Sequence, residues 1–150
     1  MNGGFKMIKD TFEVIYRNYK LHFYKEIFKK LNHHEVTLTA LDFFCLETIY
    51  LLKEPTMSEF ADFLEISLPN ATYKIKNLIK KGYVKKEISE VDKRICHLKL
   101  TDKFKHFYED SDYSGMFFIE RIKKVFSNEE LDHLYMMLKL IVEKINLREE

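Results

Sequence analysis

The 150-residue sequence is poor in the residues that shape several common protein classes. It holds two cysteines, four glycines and two prolines. Two cysteines are too few for a disulfide framework and are typical of a reducing compartment. So few glycines and prolines argue against a glycine-rich phosphate loop and against an all-β sandwich. No apolar run approaches the ~18 residues of a membrane span, and no charged-then-apolar leader is present, so we expect a cytoplasmic protein with no membrane partner.

Aromatic and charged residues are abundant instead. The chain has 13 Phe and 9 Tyr, and 33% of its residues are charged, which is typical of one folded domain with its own core. The formal net charge of +1 conceals a segregated pattern, because residues 74–105 hold eleven Lys or Arg against four acids. This basic block indicates contact with a polyanion. A solvated lysine-rich face explains the charge equally well, so charge alone does not decide the function.

The spacing of apolar residues predicts a mostly helical chain with one β-hairpin. Helical stripes cover residues 5–31 and 38–52, and two more helices follow up to Lys81. Alternation then predicts strands near 83–88 and 95–100, with Cys96, Leu98 and Leu100 on the inner side. Helices resume at Lys103, with an interruption near 110–115. Three helices followed by a hairpin are the elements of a winged helix-turn-helix, flanked here by long terminal helices.

Capping patterns locate the helix ends. Thr56 with Glu59, and Ser127 with Glu130, have the spacing of capping boxes. Ser67 is the predicted N-cap of the helix that begins near Pro69, and Gly82 is its predicted left-handed terminator.

The helix over residues 68–81 is the predicted recognition helix. Its inner face is predicted to carry Ala71, Ile75, Leu78 and Ile79. Its outer face contains no acid and combines amides, hydroxyls, an aromatic ring and lysines. Those groups suit base edges and phosphates, although an ordinary amphipathic surface helix is the alternative. The predicted DNA-binding residues here are Ser67, Pro69, Asn70, Thr72, Tyr73, Lys74, Lys76, Asn77 and Lys80.

Two roles are distinguished within this set. We expect Asn70 and Tyr73 to contact base edges, and the remaining hydroxyl, amide and ammonium groups from Thr72 to Lys80 to hold phosphates. At the hairpin tip, Lys93 and Arg94 are predicted to enter a minor groove. Asp92 is predicted to pair with Arg94 and hold the tip in shape; a plain charged turn is the alternative.

These motifs resemble the multiple antibiotic resistance regulator (MarR) family. The resemblance rests on Leu38-Thr39, the helix-turn-helix that ends at Gly82-Tyr83-Val84, the wing residues 92–94 and the strand end Leu100-Thr101. It implies a two-fold dimer whose terminal helices, 5–31 and 103–147, interlock beside a winged helix-turn-helix at 38–101 with its wing at about 83–100. It also implies a repressor of pseudo-palindromic DNA that a ligand or oxidation relieves. Asp42 and 102–104 depart from the family pattern, and we expect neither to touch the DNA face.

The apolar stripes of the terminal helices independently predict a homodimer. They are too large for a small lobe to cover, and an isologous interface would bury them with two recognition helices about 34 Å apart. The stripe residues are Phe5, Phe12, Tyr16, Tyr19, Phe23, Leu134, Leu138, Ile141 and Ile145.

Three chemical inputs to such a regulator are considered. A zinc-sensing branch of the resembled family directs interest to His33, His34, Glu35, Cys45, His106 and Asp110, although no tight metal signature is present and no metal is assigned. Peroxide sensing is less favoured, because Cys45 and Cys96 both lie on apolar faces. An apolar or phenolic effector is favoured by Tyr16, Tyr19, Phe23, Phe43, Phe44, Phe107, Tyr108 and Tyr113, which are as readily explained as core. The remaining possibility is no ligand.

An enzyme is not expected, because no nucleophile motif, dinucleotide or Walker glycine pattern, or carboxylate pair is evident. No cofactor is expected either. A winged-helix protein-docking module without DNA affinity remains the alternative outside the DNA-binding class.

Overall fold

The computed structural model describes residues 3–33, 37–109 and 116–145. Its helices and strands are α1 (Gly3–Leu31), α2 (Ala40–Leu51), α3 (Met57–Phe63), α4 (Leu68–Lys80), β1 (Val84–Ile88), β2 (Cys96–Leu100), α5 (Asp102–Glu109), α6 (Met116–Val125) and α7 (Asn128–Ile145). The predicted fold class, mostly helical with a small β-hairpin, is confirmed. The predicted interruption at 110–115 lies outside the described residues.

The chain forms two compact units. The central unit is Lys29–Ser111, and the terminal unit combines Met1–Phe28 with Asp112–Glu150. Helix α5 lies in the central unit, where Phe104 is buried in the core. The resemblance to the MarR family grouped this segment, within 103–147, with the dimerisation helices. In the structure, α5 packs Phe104, Phe107 and Tyr108 against the core of the central unit.

Local capping defines the helix-turn-helix. The Thr56 hydroxyl accepts from the Glu59 N–H at 3.2 Å, and Glu59 accepts from the Thr56 N–H at 2.7 Å, which is the predicted capping box. Between α3 and α4 the chain turns at Glu65, whose φ is +52°, and the Ile66 N–H bonds the carbonyl of Ala61 at 3.0 Å. Ser67 then caps α4, with Pro in its first turn, so the predicted start is confirmed.

The end of α4 is also set locally. Gly82 has φ +81°, the Gly82 N–H bonds Ile79 at 2.9 Å, and the Tyr83 N–H bonds Leu78 at 3.1 Å. These two bonds form a Schellman motif, which stops the helix and directs the chain into β1.

The hairpin pairs β1 with β2 antiparallel, from Val84 opposite Leu100 to Ile88 opposite Cys96. The predicted clean alternation of β2 is wrong, because only Leu98 is buried and its neighbours are all half-buried. The reason is that the segment before α3 covers the other side. His97 Nδ1 lies 2.8 Å from the carbonyl of Glu54, and the Leu98 N–H bonds the carbonyl of Pro55 at 2.8 Å.

The central unit has a continuous apolar core made by α2, α3, α4, the hairpin and α5. Ala61 and Ala71 are both buried where α3 packs against α4, so two small side chains allow these helices to cross closely. The largest side chains in this core with under 2% exposure are Phe60, Phe104, Leu46, Ile49, Ile75, Leu78, Leu98, Val84 and Cys45. This core holds α4 with one face inward and the other to solvent.

Candidate nucleic-acid interface

The outward face of α4 consists of the side chains that the sequence assigned to it. Tyr73 is 76% exposed, and Pro69, Asn70, Lys76 and Lys80 are also exposed. Thr72 and Lys74 are half-buried at the borders of the face. Residues 68–81 contain four lysines and no acid. The face is therefore cationic and open to a partner, while the hydroxyl of Ser67 is engaged in the cap, 3.4 Å from the Asn70 N–H.

The inward face is narrower than the sequence indicated. Ala71, Ile75 and Leu78 are buried, but Ile79 is 36% exposed, so its assignment to the core is wrong. Helical spacing gives the angle of a side chain and not the width of the neighbour that covers it. Ile79 lies at the edge of the contact, beyond the part of α4 that the rest of the core reaches.

Asp42 connects the start of α2 to the end of α4. Its Oδ2 accepts from Lys81 Nζ at 2.7 Å and from the N–H and hydroxyl of Thr39 at 2.9 and 2.8 Å. Its Oδ1 accepts from the side-chain amide of Asn77 at 3.3 Å. The expectation that Asp42 is remote from the DNA face is therefore wrong: it fixes Asn77, one of the residues predicted to hold phosphate.

The electrostatics of Asp42 follow from these contacts. Burial acts to raise its pKa, but the hydrogen bonds from Lys81 and Thr39 and the charge of Lys81 outweigh burial and hold the pKa below its ordinary value. The carboxylate thus stays ionised. The Lys81 ammonium also bonds the carbonyl of Thr37 at 2.8 Å, so this lysine is a structural residue at the α2–α4 junction.

Asp92 shapes the wing tip by a route that differs from the expected ion pair. Its Oδ1 accepts from the backbone N–H of Arg94 at 2.9 Å, and the Asp92 carbonyl accepts from the Ile95 N–H at 2.9 Å. The Ser89 hydroxyl accepts from the N–H groups of Val91 and Asp92, at 3.3 and 3.4 Å. The Asp92 carboxylate therefore bonds the Arg94 backbone, and the Arg94 guanidinium forms no ion pair with the residues that the structure describes. Arg94 and Lys93 are both exposed.

Those zinc candidates that the structure describes do not form a group of ligands. His34, Glu35 and Asp110 lie outside the described residues, and His33 and His106 are exposed. Cys45 is buried in the apolar core, and burial raises the pKa of its thiol, which disfavours a metal-binding thiolate. No group of three or more potential ligands is found in 3–33, 37–109 and 116–145.

The aromatic candidates for an effector pocket separate in the same way. Phe43 is buried, with its ring centroid 6.1 Å from that of Phe107, while Phe44 is exposed. Tyr16, Tyr19 and Phe23 lie in the terminal unit, and Tyr113 lies outside the described residues. Within the central unit, a cavity of about 620 Å³ lies between α2, the hairpin and α5; of the predicted aromatic set it includes Tyr108 alone.

Three features of this surface were not predicted from the sequence. Leu68, the first residue of α4, is 49% exposed beside Pro69, and Val91 is 99% exposed at the wing tip. The contact between Asp42 and Asn77 joins residues 35 positions apart, so no local pattern reports it. At 100° per residue, Leu68 lies about 20° from the buried Ile75 and about 40° from Thr72, at the border between the inner and outer faces of α4.

An outward cationic helix held by a helix-turn-helix, followed by a basic hairpin, defines a winged helix of the DNA-binding class. Residues 38–96 match the model of the MarR family. The resemblance to the MarR family that was drawn from the sequence is confirmed for this segment.

Solved structures share the fold over nearly the whole chain. FabT of Streptococcus pneumoniae in complex with DNA is 22% identical, with a TM-score of 0.61 and coverage of 96% of this chain and 99% of that chain. A MarR family protein of Bacillus stearothermophilus is 16% identical, with a TM-score of 0.66 and coverage of 97% and 99%. The transcriptional regulator Tm0710 of Thermotoga maritima is 22% identical, with a TM-score of 0.65 and coverage of 96% and 99%.

No curated protein matches the chain. Among the residues that the structure describes, none forms a helix long and apolar enough to span a membrane.

Proposed function

We propose that this chain is a homodimeric repressor of transcription that binds pseudo-palindromic DNA through α4 and the wing. The observation that carries the proposal is the outer face of α4, where exposed lysines and polar groups occur with no acid. Lys76 and Lys80, with Thr72 and Lys74 at the borders, are suited to phosphates. The DNA complex of the similar FabT supports DNA as the partner.

Base reading is assigned to Asn70 and Tyr73, which are exposed in the first two turns of α4. An amide can donate to and accept from one base edge together, whereas a lysine at a phosphate contributes equally to every sequence. Arg94 is assigned to the minor groove, since the Asp92 carboxylate bonds its backbone N–H and the Arg94 side chain is exposed. Asn77 is proposed as a weaker phosphate ligand than Lys76 and Lys80, because its side-chain amide already donates to Asp42.

The dimer is proposed because the apolar stripes of α1 and α7 are exposed in the single chain. A two-fold interface between these helices would cover them and would present two α4 helices to successive major grooves, about 34 Å apart. In the same proposal α1, α6 and α7 serve dimerisation, and residues 38–109, which include α5, form the DNA-binding part.

Relief of repression by a ligand is proposed from the cavity in the central unit. The cavity of about 620 Å³ has an apolar floor that includes Ile49, Leu98 and Phe104, and Tyr50 and Tyr108 lie above it with ring centroids 4.7 Å apart. The apolar part of this lining suits a small apolar or phenolic effector. The other half of the lining is charged, namely Lys53, Glu54, Lys85, Glu87, Lys99, Asp102 and Lys105. A zinc-responsive regulator of the same fold is the second candidate, and a protein-docking module is the third.

Binding to duplex DNA tests the proposal directly. Bound duplexes are selected from a random pool, and affinity is then measured by fluorescence anisotropy between about 50 and 200 mM salt, where phosphate contacts give a steep slope. Lys76→Gln should weaken binding to selected and random duplexes alike and lower the salt slope by about one unit. Lys144→Gln makes the same change of charge on α7, which carries none of the proposed DNA contacts, and should leave the slope unchanged.

The role of Asn70 is tested in the same assay. Asn70→Ala should cost about 1–3 kcal/mol on the selected duplex and relax the choice at one base pair per half-site. Equal losses on selected and random duplexes would contradict base reading. No binding to any duplex at low salt would instead favour the docking module. Repeating the selection with zinc, with a chelator and with phenolic ligands distinguishes the candidate inputs.

A further inference from the structure

The outer face of α4 has two halves of different chemistry. Its second half carries the cationic and amide groups of Lys76, Asn77 and Lys80. Its first half carries the polar Asn70, Thr72 and Lys74 and also three exposed apolar or aromatic side chains, Leu68 at 49%, Pro69, and Tyr73 at 76%. Exposure to water does not favour a cluster of Leu68, Pro69 and Tyr73 at one end of a helix face, so we expect a partner that covers them.

These three side chains are not surplus from the core. The inner face of α4 is complete with Ala71, Ile75 and Leu78, each at most 1% exposed. On the outside, Leu68, Pro69 and Tyr73 line a shallow concavity of about 390 Å³ together with Thr72 and Lys76. The concavity is therefore a formed surface with an apolar floor and one ammonium group at its edge.

The position of the concavity restricts what can occupy it. Lys76 borders it and Lys80 lies one turn further along the same face, so the partner carries negative charge beside an apolar group. In duplex DNA the phosphates supply the charge. Among the four bases, thymine alone adds a methyl group to the major groove, in reach of a helix that enters there.

We propose that Leu68, Pro69 and Tyr73 form a contact site for thymine 5-methyl groups, which makes the preferred half-site thymine-containing where the first turns of α4 enter the groove. This inference rests on the proposed DNA-binding function and specifies which sequences are preferred. Leu68 is the main contact, because its branched side chain is exposed at the first helical position, and the ring of Tyr73 forms the opposite wall of the concavity.

Replacing thymine by deoxyuridine tests the site without altering the protein. Deoxyuridine lacks the methyl group and retains the pairing edge and the O4 acceptor, so hydrogen bonds to the base are preserved. Each thymine of a selected duplex is replaced in turn, and affinity is measured with the wild-type chain. At one or two positions per half-site we expect affinity to fall about fourfold for each lost methyl contact, with the other positions unaffected.

A protein variant assigns the methyl contact to Leu68. Leu68→Ala should weaken binding to the thymine duplex and abolish the difference between thymine and deoxyuridine. Leu51→Ala is the matched control, because it removes the same atoms from a leucine that is exposed at the end of α2. It should retain the full difference.

The outcomes separate the two proposals. If the wild-type chain binds selected duplexes but no thymine-to-deoxyuridine change alters affinity, the methyl site is wrong and DNA binding stands. If Leu68→Ala keeps the same thymine preference as the wild-type chain, the assignment to Leu68 is wrong. If no duplex binds at low salt, the proposed function itself fails, and an acidic protein becomes the occupant to test.

Discussion

In α4 the inner side chains Ala71, Ile75 and Leu78 are at most 1% exposed, whereas in α7 Leu138 and Ile141 are 48% and 43% exposed. Both helices have an apolar stripe at helical spacing. The central unit completes its core within one chain, while none of the residues of α7, all of them described, is buried. The same pattern therefore has two meanings: a packed core in α4, and an apolar face without cover from its own chain in α7.

The largest effect is expected from a cavity in the central unit. Ile75→Ala removes three carbon atoms from a fully buried site in α4 and should lower the free energy of unfolding by about 2–5 kcal/mol. Urea denaturation followed by circular dichroism measures the loss. Ile79→Ala removes the same atoms one turn later, where the side chain is partly exposed, and should cost clearly less. Equal losses would show that the edge of the core extends over Ile79.

A charge on the stripe of α7 should instead affect association. Ile141→Glu should weaken self-association about 100-fold or more, because burying an unpaired carboxylate costs several kcal/mol. Sedimentation of the purified chain across a dilution series measures this. Met136→Glu introduces the same charge on the opposite side of α7, where Met136 is also exposed, and should leave association intact. If the wild-type chain were monomeric, self-association would not explain the exposed stripe of α7.

The sequence predicted those parts of the fold that depend on neighbours along the chain. The Thr56–Glu59 capping box, the Ser67 cap and Gly82 each involve residues within a few positions, and all three are confirmed. Features that need a second element were missed. The bond from Asn77 to Asp42 and the cover of β2 by Glu54 and Pro55 arise from tertiary packing, which spacing does not encode.

The residues of the candidate site show the same difference between features that the sequence predicts and features that it does not. The outward placement of Tyr73 and Lys76 follows from helix geometry, and the structure exposes both. The shape of the wing tip does not follow from charge: opposite charges at Asp92 and Arg94 predict an ion pair, while the structure uses the backbone N–H of Arg94. A carboxylate two residues before a turn N–H is equally suited to that bond, and sequence alone does not choose.

An intermediate effect is expected at the junction of α2 and α4. Asp42→Asn keeps the size of the side chain and removes its charge, which weakens the bonds from Lys81 and Thr39. It should lower the free energy of unfolding by about 1–2 kcal/mol at neutral pH. Asp62→Asn on the exposed surface of α3 is the charge-matched control and should change little. Thermal unfolding of both variants beside the wild-type chain makes the comparison.

The pH dependence of that effect has a definite sign. The folded-state pKa of Asp42 is lowered, so its contribution to stability is fully present above the unfolded value of about 4 and is lost as pH falls through the folded value. The stability difference between wild type and Asp42→Asn should therefore shrink as the solution is acidified below about pH 4. A difference that stays constant down to pH 2 would show that the charge of Asp42 contributes nothing.

The smallest effect is expected from glycines, and it again distinguishes the two regions. Gly82 has φ +81° in the Schellman motif, and an added Cβ would meet Lys103 only at an ordinary 3.8 Å, so the cost of Gly82→Ala is that of the left-handed backbone. We expect a loss of about 1 kcal/mol, measured as a lower thermal midpoint. Gly4→Ala in α1 meets no atom within 4 Å and should be neutral or slightly stabilising, because alanine favours helix. If Gly82→Ala were as harmless as Gly4→Ala, the chain would tolerate another path between α4 and β1, and the fixed orientation of α4 relative to β1 would lose its local cause.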